Sequence, residues 1–169
     1  MTIQIIFDWA EDKTLIRHLT ELCKKEDIEL IRKQHKRPGD YIITTEKGSI
    51  LLIERKSLID LWGSLTTKEK YEGMARPIPK LYRQISDIVQ EADRLGRDRA
   101  HPYLLVEWVD YFPRQATTKV PEYMIRKTAL TAASTSSKFV RILVSANKQH
   151  SAELLVKLAK EFDERTIYG

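Results

Sequence analysis

Two runs of strand-forming residues, Tyr41-Ile42-Ile43-Thr44-Thr45 and Ile50-Leu51-Leu52-Ile53, flank Glu46-Lys47-Gly48, and this spacing constrains the chain more than any other feature. β-branched and aromatic side chains favour a pleated surface, and a short glycine-containing connection predicts a hairpin. Pro38-Gly39 places a second turn just before it. With the turn centred on Lys47, opposed positions sum to 94, so Asp40 lies across from Glu54. Opposed residues share a face with Cβ atoms about 4.5–5.5 Å apart, so two carboxylates converge. A register slip of one residue would send them to opposite faces. Like charges so placed repel unless a cation lies between them, and a divalent ion with oxygen ligands is the usual remedy. Strand periodicity returns Lys56 to the face of Glu54, where an ammonium can orient a water or help to deprotonate it. Arg55 is turned the other way, toward a phosphate or a structural carboxylate.

The remaining pattern alternates strands with helices. Ile3 to Phe7 reads as a buried strand ending at Asp8, and Leu15, Ile16, Leu19 and Leu22 recur at helical spacing. A strand at Ile28 to Ile31 precedes the hairpin. After it come a helix from Ser57, a polar loop over 66–75, a helix from Pro79 to Leu95 and a strand from Tyr103 to Trp108. A loop from Tyr111 to Val120, a helix from Glu122 to Ser137, a strand from Val140 to Ser145 and a helix from Ser151 to Phe162 close the chain. Strands written as continuous apolar runs beside helices predict an α/β sheet covered on both faces.

Several charged residues have two readings. Asp40 after Pro38-Gly39 also suits a turn, and Glu54 with Lys56 also suits a solvated strand end. Ser57-x-x-Asp60 resembles a helix cap, and Glu11 suits a first helical turn. Asp8 at the carboxyl end of a buried strand is where open α/β sheets put functional groups. Arg32, Lys33, Lys36 and Arg37 form a basic block that is either a solvated face or a phosphate contact. His18, His35, His101 and His150 lack ligand spacing.

Composition narrows the class. The 169 residues, 42% hydrophobic, suffice for a real core, and no apolar run approaches the roughly 20 residues needed to span a bilayer. The N-terminus lacks a basic region ahead of an apolar one, so it does not read as a signal peptide. One cysteine, Cys23, excludes an internal disulfide and points to an intracellular setting, cytoplasmic in a prokaryote or virus and nuclear in a eukaryote. The 29 basic and 24 acidic residues give +5, yet residues 1–60 hold 11 of each. That third is neutral only because acids cancel many bases.

Together, Asp8-x-x-Glu11, Gly39-Asp40-Tyr41, Glu54-Arg55-Lys56-Ser57 and Asp60 resemble the nuclease domain of the XPF and Hef structure-specific endonucleases. Their signature is Gly-Asp, a variable gap, Glu-Arg-Lys, three residues and Asp. Leu81-Tyr82-x-Gln84 sits where that family has a helix with a motif Gln. The resemblance spans most of residues 3–165. It implies a single restriction-endonuclease-like α/β domain over 1–169, with a mixed central sheet of about six strands flanked by helices. It implies DNA backbone cleavage with Mg²⁺ or Mn²⁺ at branched or flapped DNA. Asp40 and Glu54 would be metal ligands, joined by the backbone carbonyl of Arg55 and by Asp8. Lys56 would activate the water, with Glu11, Asp60 and Gln84 completing the catalytic set. Lys80 and Arg83 join the basic block as DNA-binding candidates.

The resemblance also implies dimerisation through late helices, here Tyr123 to Ala133 and Leu154 to Phe162. Departures from the family are Ala10 and Lys80 where arginines are usual, a longer segment from Gly63 to Pro79, and no C-terminal helix-hairpin-helix domain. A catalytically silent DNA-binding or scaffold partner, or a Holliday-junction resolvase or restriction-type nuclease, are the alternatives.

Overall fold

A computed structural model describes residues 2–34, 37–109 and 120–168, with 163–168 as helix backbone alone. Five helices flank a mixed sheet of six strands. In chain order these are β1 (Gln4–Phe7), α1 (Lys13–Lys25), β2 (Glu29–Arg32), β3 (Tyr41–Thr44), β4 (Ile50–Ser57), α2 (Leu58–Thr66), β5 (Lys68–Glu69), β6 (Ile78–Pro79), α3 (Lys80–Leu95), β7 (Ala100–Glu107), α4 (Glu122–Ser136), β8 (Arg141–Ser145) and α5 (Lys148–Tyr168). The sheet order is β2-β1-β3-β4-β7-β8. Only β3 runs against the other five strands, so their carboxyl ends share one edge.

The hairpin register follows the turn arithmetic: Tyr41 faces Ile53 and Thr44 faces Ile50. Pairing continues one residue beyond the strand, with the Asp40 N–H donating to the Ile53 carbonyl at 2.8 Å. The alternate faces of β3 and β4 enter separate cores. Tyr41, Ile43, Leu51 and Ile53 pack with Leu15 and Leu19 of α1 and Leu155 and Ala159 of α5. Ile42, Ile50 and Leu52 pack with Ile88 and Ala92 of α3, while Leu104 and Val106 meet α2, α3 and α4. Both faces are thus covered, which is why the central strands carry no polar alternation.

Two sequence expectations are revised. The 66–75 segment is not a plain loop, because β5 and β6 pair as a small antiparallel sheet, Lys68 with Pro79 and Glu69 with Ile78. Two-residue strands are too short to leave a periodicity. The apolar stripe of α5 is also committed internally, with Leu155, Val156 and Ala159 buried against α1 and Phe162 beside His101. On α4, by contrast, Tyr123 and Leu130 are exposed. The expected loop at Tyr111 to Val120 falls almost wholly outside the described residues.

Gly39 sets the approach to Asp40. Its φ is +102°, and an added Cβ would sit 3.2 Å from the Ile53 carbonyl oxygen, a backbone atom that cannot swing aside. Gly39→Ala therefore destabilises the protein by about 1–3 kcal/mol, lowering Tm by about 2–4 °C for each kcal/mol in a chain of this size; thermal and urea denaturation measure both.

Candidate active site at the carboxyl edge of the sheet

The carboxyl ends of β4 and β7, the start of β3 and the turn after β1 open into a cleft of about 750 Å³. Its walls include Glu11, Asp40, Glu54, Arg55, Lys56, Asp60, Lys80, Gln84 and Glu107. An edge where several strands end is the usual ligand position in open α/β sheets, because side chains from separate strands converge there while the backbone stays rigid.

On one face, Glu54 is buried and its Oε1 accepts from the Gln84 amide at 2.8 Å and lies 3.0 Å from Lys56 Nζ. Asp40 Oδ2 accepts from the Arg55 backbone N–H at 2.8 Å, so the hairpin itself aims that carboxylate. On the other face, Arg55 holds Glu107 through Nε at 3.0 Å and Nη2 at 2.9 Å, and Glu11 lies 3.8 Å from its Nη1. Glu11 also accepts from the Tyr41 hydroxyl at 2.7 Å. Glu107 further accepts from Ser151 Oγ at 2.8 Å, tying β7 to the first turn of α5.

The other predicted residues are less alike. Asp8 touches Asp40 through the backbone, its N–H donating to the Asp40 carbonyl at 3.3 Å, while its carboxylate accepts from Ala10 N–H in a turn. Asp60 is exposed on the cleft wall, and its N–H donates to Ser57 Oγ at 3.1 Å, the expected cap. Arg32 lies over the Trp9 ring and Lys33 is exposed. Arg37 lies 3.7 Å from Glu91, and Arg83 is bound between Glu69 and Asp87. Lys36 lies outside the described residues.

Glu107 was missed by sequence reasoning. It is 2% exposed, and its only sequence signal is a carboxylate ending the apolar run Tyr103-Leu104-Leu105-Val106. Its pairing with Arg55 depends on the parallel β4–β7 register, in which Ser57 faces Glu107.

Burial pushes Glu54 up from the ordinary 4.5 to about 7, Asp40 adds repulsion, and Lys56 partly offsets both. Glu11 is likewise raised to about 7 by burial and by Asp40, against the Tyr41 hydrogen bond. Asp40 is raised by burial, against the Arg55 N–H and the charges of Lys56 and Arg55. Three carboxyls that resist ionisation at one site need positive charge. Gln84 Oε1, buried in the same cleft, has no hydrogen-bond partner. Two converging carboxylates and an orphaned amide oxygen are a hard-oxygen donor set suited to Mg²⁺ or Mn²⁺. Among the described residues, no group of three or more His, Cys, Asp or Glu side chains stands ready at metal-holding spacing.

A profile of the ERCC4 domain matches residues 10–158, nearly the whole chain and every residue of the cleft wall, with Asp8 just outside it. The chain belongs to the ERCC4-domain family. No curated protein matches the sequence. Among solved structures, XPF from Aeropyrum pernix is similar at 20% identity with a TM-score of 0.55, covering 96% of this chain and 66% of that one. XPF from the same organism in complex with DNA is similar at 17% identity and the same TM-score and coverage. At these identities the likeness is one of fold. The chain spans just under two thirds of the length of those structures. No helix among the described residues is long and apolar enough to cross a membrane.

The raised carboxyls predict a pH dependence. A folded-state pKa above the unfolded value means that the folded protein binds more protons, so this contribution is complete below about pH 4.5 and is lost as pH rises through about 7. In EDTA, wild-type Tm falls between about pH 5 and about pH 8, and the fall is shallower in Glu54→Gln. Mn²⁺ recovers Tm at the higher pH and not at the lower, as thermal melts will report. Glu107→Ala leaves Arg55 buried without its main partner, and the expected loss is about 3–5 kcal/mol by urea denaturation.

Proposed function

We propose that this ERCC4-domain chain is a divalent-metal-dependent DNA endonuclease acting on branched, flapped or junction DNA. The observation that carries this reading is the convergence of half-buried Asp40 and buried Glu54 beside Lys56 and an unsatisfied Gln84 oxygen at the carboxyl edge of the sheet. The family match and the DNA-bound relative of like fold support it.

Asp40 and Glu54, with the Arg55 carbonyl, are the groups that would hold the ion, and Asp8 would act from the neighbouring turn. A bound Mg²⁺ or Mn²⁺ would polarise the scissile phosphate and lower the pKa of the attacking water. Lys56 Nζ orients that water and balances charge on Glu54. Gln84 fixes the Glu54 carboxylate, while the Glu11–Arg55–Glu107 chain fixes the backbone whose N–H aims Asp40. Asp60 and Lys80 stand on the cleft wall, where Lys80 can take a phosphate oxygen, and Arg32 and Lys33 lie beyond the turn at Trp9. We propose dimerisation through α4, which exposes Tyr123 and Leu130, and through the edge strand β8, which exposes Val144.

A second reading, a catalytically silent partner of an active nuclease, is favoured by the lack of a ready three-ligand cluster among the described residues and by Ala10 in place of an acidic-site arginine. Cleavage assays separate the two. Flap, splayed-arm, four-way and linear duplexes are incubated with Mg²⁺ or Mn²⁺; the enzyme cuts the branched forms preferentially, and Asp40→Asn or Glu54→Gln lowers the rate by about 10²-fold or more. Undiminished cutting by both variants would refute the assignment, and Mn²⁺ binding by calorimetry without cutting would favour the silent partner.

A further inference from the structure

Residues 67–80 form an arm that the sheet does not need. Its root is at the cleft, for Thr67 and Lys80 both line the wall and the Lys80 N–H donates to the Thr67 carbonyl at 2.8 Å. From there β5 and β6 carry the chain outward to a turn in which Met74 N–H donates to the Tyr71 carbonyl at 3.1 Å and Gly73 adopts φ +82°. The six residue steps from Thr67 at the root to Gly73 at the tip reach at most roughly 21 Å, a little over half a turn of duplex DNA.

The arm is buttressed rather than loose. Glu69 is bound by Arg83, which also donates to Asp87 at 2.7 Å. The Tyr71 hydroxyl lies 3.0 Å from Ser86 Oγ and accepts from Gln90 Nε2 at 2.8 Å. Both anchors sit on α3. Because successive strand residues point to opposite sides, a Glu69 turned onto α3 turns Lys68 away from it. Lys68, Lys70 and Arg76 are exposed. They form no ion pair among the described residues, whereas Arg83, the arm's nearest guanidinium on α3, is neutralised twice.

An arm buttressed on α3, carrying three unpaired cations against one exposed acid, Glu72, and rooted at an acidic cleft, has a charge pattern that fits one ligand class. The carboxylates call for a cation, a cation held there can take a phosphate oxygen, and the cations outside the cleft suit further phosphates on the same polymer. We propose that the 67–80 arm is a second DNA-contacting element, with Lys68, Lys70 and Arg76 on backbone phosphates of the duplex that flanks the cleaved bond. This rests on the nuclease reading of the cleft and extends it to how substrate is held. Phosphate contacts position without reading sequence, so the arm contributes affinity and register rather than base preference.

The test is DNA binding in EDTA, where cleavage does not interfere. Fluorescence anisotropy with a labelled flap duplex is measured across a salt series for wild type, for K68Q/K70Q/R76Q, and for R17Q/K24Q/K25Q, which removes the same charge from exposed positions of α1. Each lost phosphate contact lowers the slope of log affinity against log salt by about 0.9, so the arm variant should lose about 2–3 in slope and the α1 variant almost none. An unchanged slope in the arm variant, or an equal loss in both, overturns the proposal. Circular dichroism confirms that the variants fold. Cleavage by the same proteins in Mg²⁺ is scored separately. Loss of the slope in a protein that cuts nothing keeps the arm and discards the nuclease; cutting with an intact slope does the reverse. A wild type that binds no DNA overturns both.

Discussion

The β3–β4 register brings two carboxylates to one face at the wall of the cleft, where partial burial weakens their hydration, and the rest of the site answers that constraint. Asp40 and Glu54 converge because Tyr41 pairs with Ile53 and the ladder runs on by one residue. Leu51, Leu52, Ile53 and Tyr41 are fully buried around them, so a register slip would expose a core face as well as separate the carboxylates. Apolar burial, at about 25 cal/mol per Å² of area, is thereby set against the electrostatic cost of the site.

The pleat divides that site into two networks with different tasks. Even-numbered positions carry Asp40, Glu54 and Lys56 with Gln84 from α3, the groups suited to a cation and a water. Odd-numbered positions carry Tyr41 and Arg55, which bind Glu11 and Glu107, and Glu107 reaches Ser151 on α5. The second network contains its own counter-charge, since Arg55 stands between two acids. The first has Lys56 against both Asp40 and Glu54, with Arg55 adding its charge and its N–H to Asp40 alone. This imbalance, created by strand periodicity, separates a supporting cluster from one that requires a ligand.

How much of this was legible in the sequence depends on the range of each interaction. The hairpin and its register follow from eight apolar or β-branched residues and one turn, all local, and the Ser57 cap of α2 is local as well. Helices with strong periodicity, such as α1 and α3, are equally readable. Glu107 was not, because its role needs β7 to lie beside β4 across more than forty intervening residues, and a glutamate ending a buried strand carries no mark of which arginine it will meet. Lys80 and Arg83, three residues apart in the same helix, looked alike as cations. Only the folded arm distinguishes them, by giving Arg83 the partner Glu69 and leaving Lys80 on the cleft wall. The resemblance offered α5 as a candidate dimer helix, and the fold packs Leu155, Val156 and Ala159 of its apolar stripe against α1; periodicity states that a face is buried without stating against what.

Formal charge conceals the same division. A net +5 spread evenly would suggest a weakly basic surface. Here three acids of the first third, Glu11, Asp40 and Glu54, are drawn to one edge of the sheet, where they hold protons more tightly than in the unfolded chain. Burial first, and repulsion between neighbouring acids second, raise those carboxyls against the pull of Lys56 and Arg55, and a bound cation would offset both. Folding stability and cation affinity are therefore linked. Whatever binds the folded site but not the unfolded chain stabilises the protein by mass action, and the cleft gains most from a divalent ion at the pH where its carboxylates have to be charged.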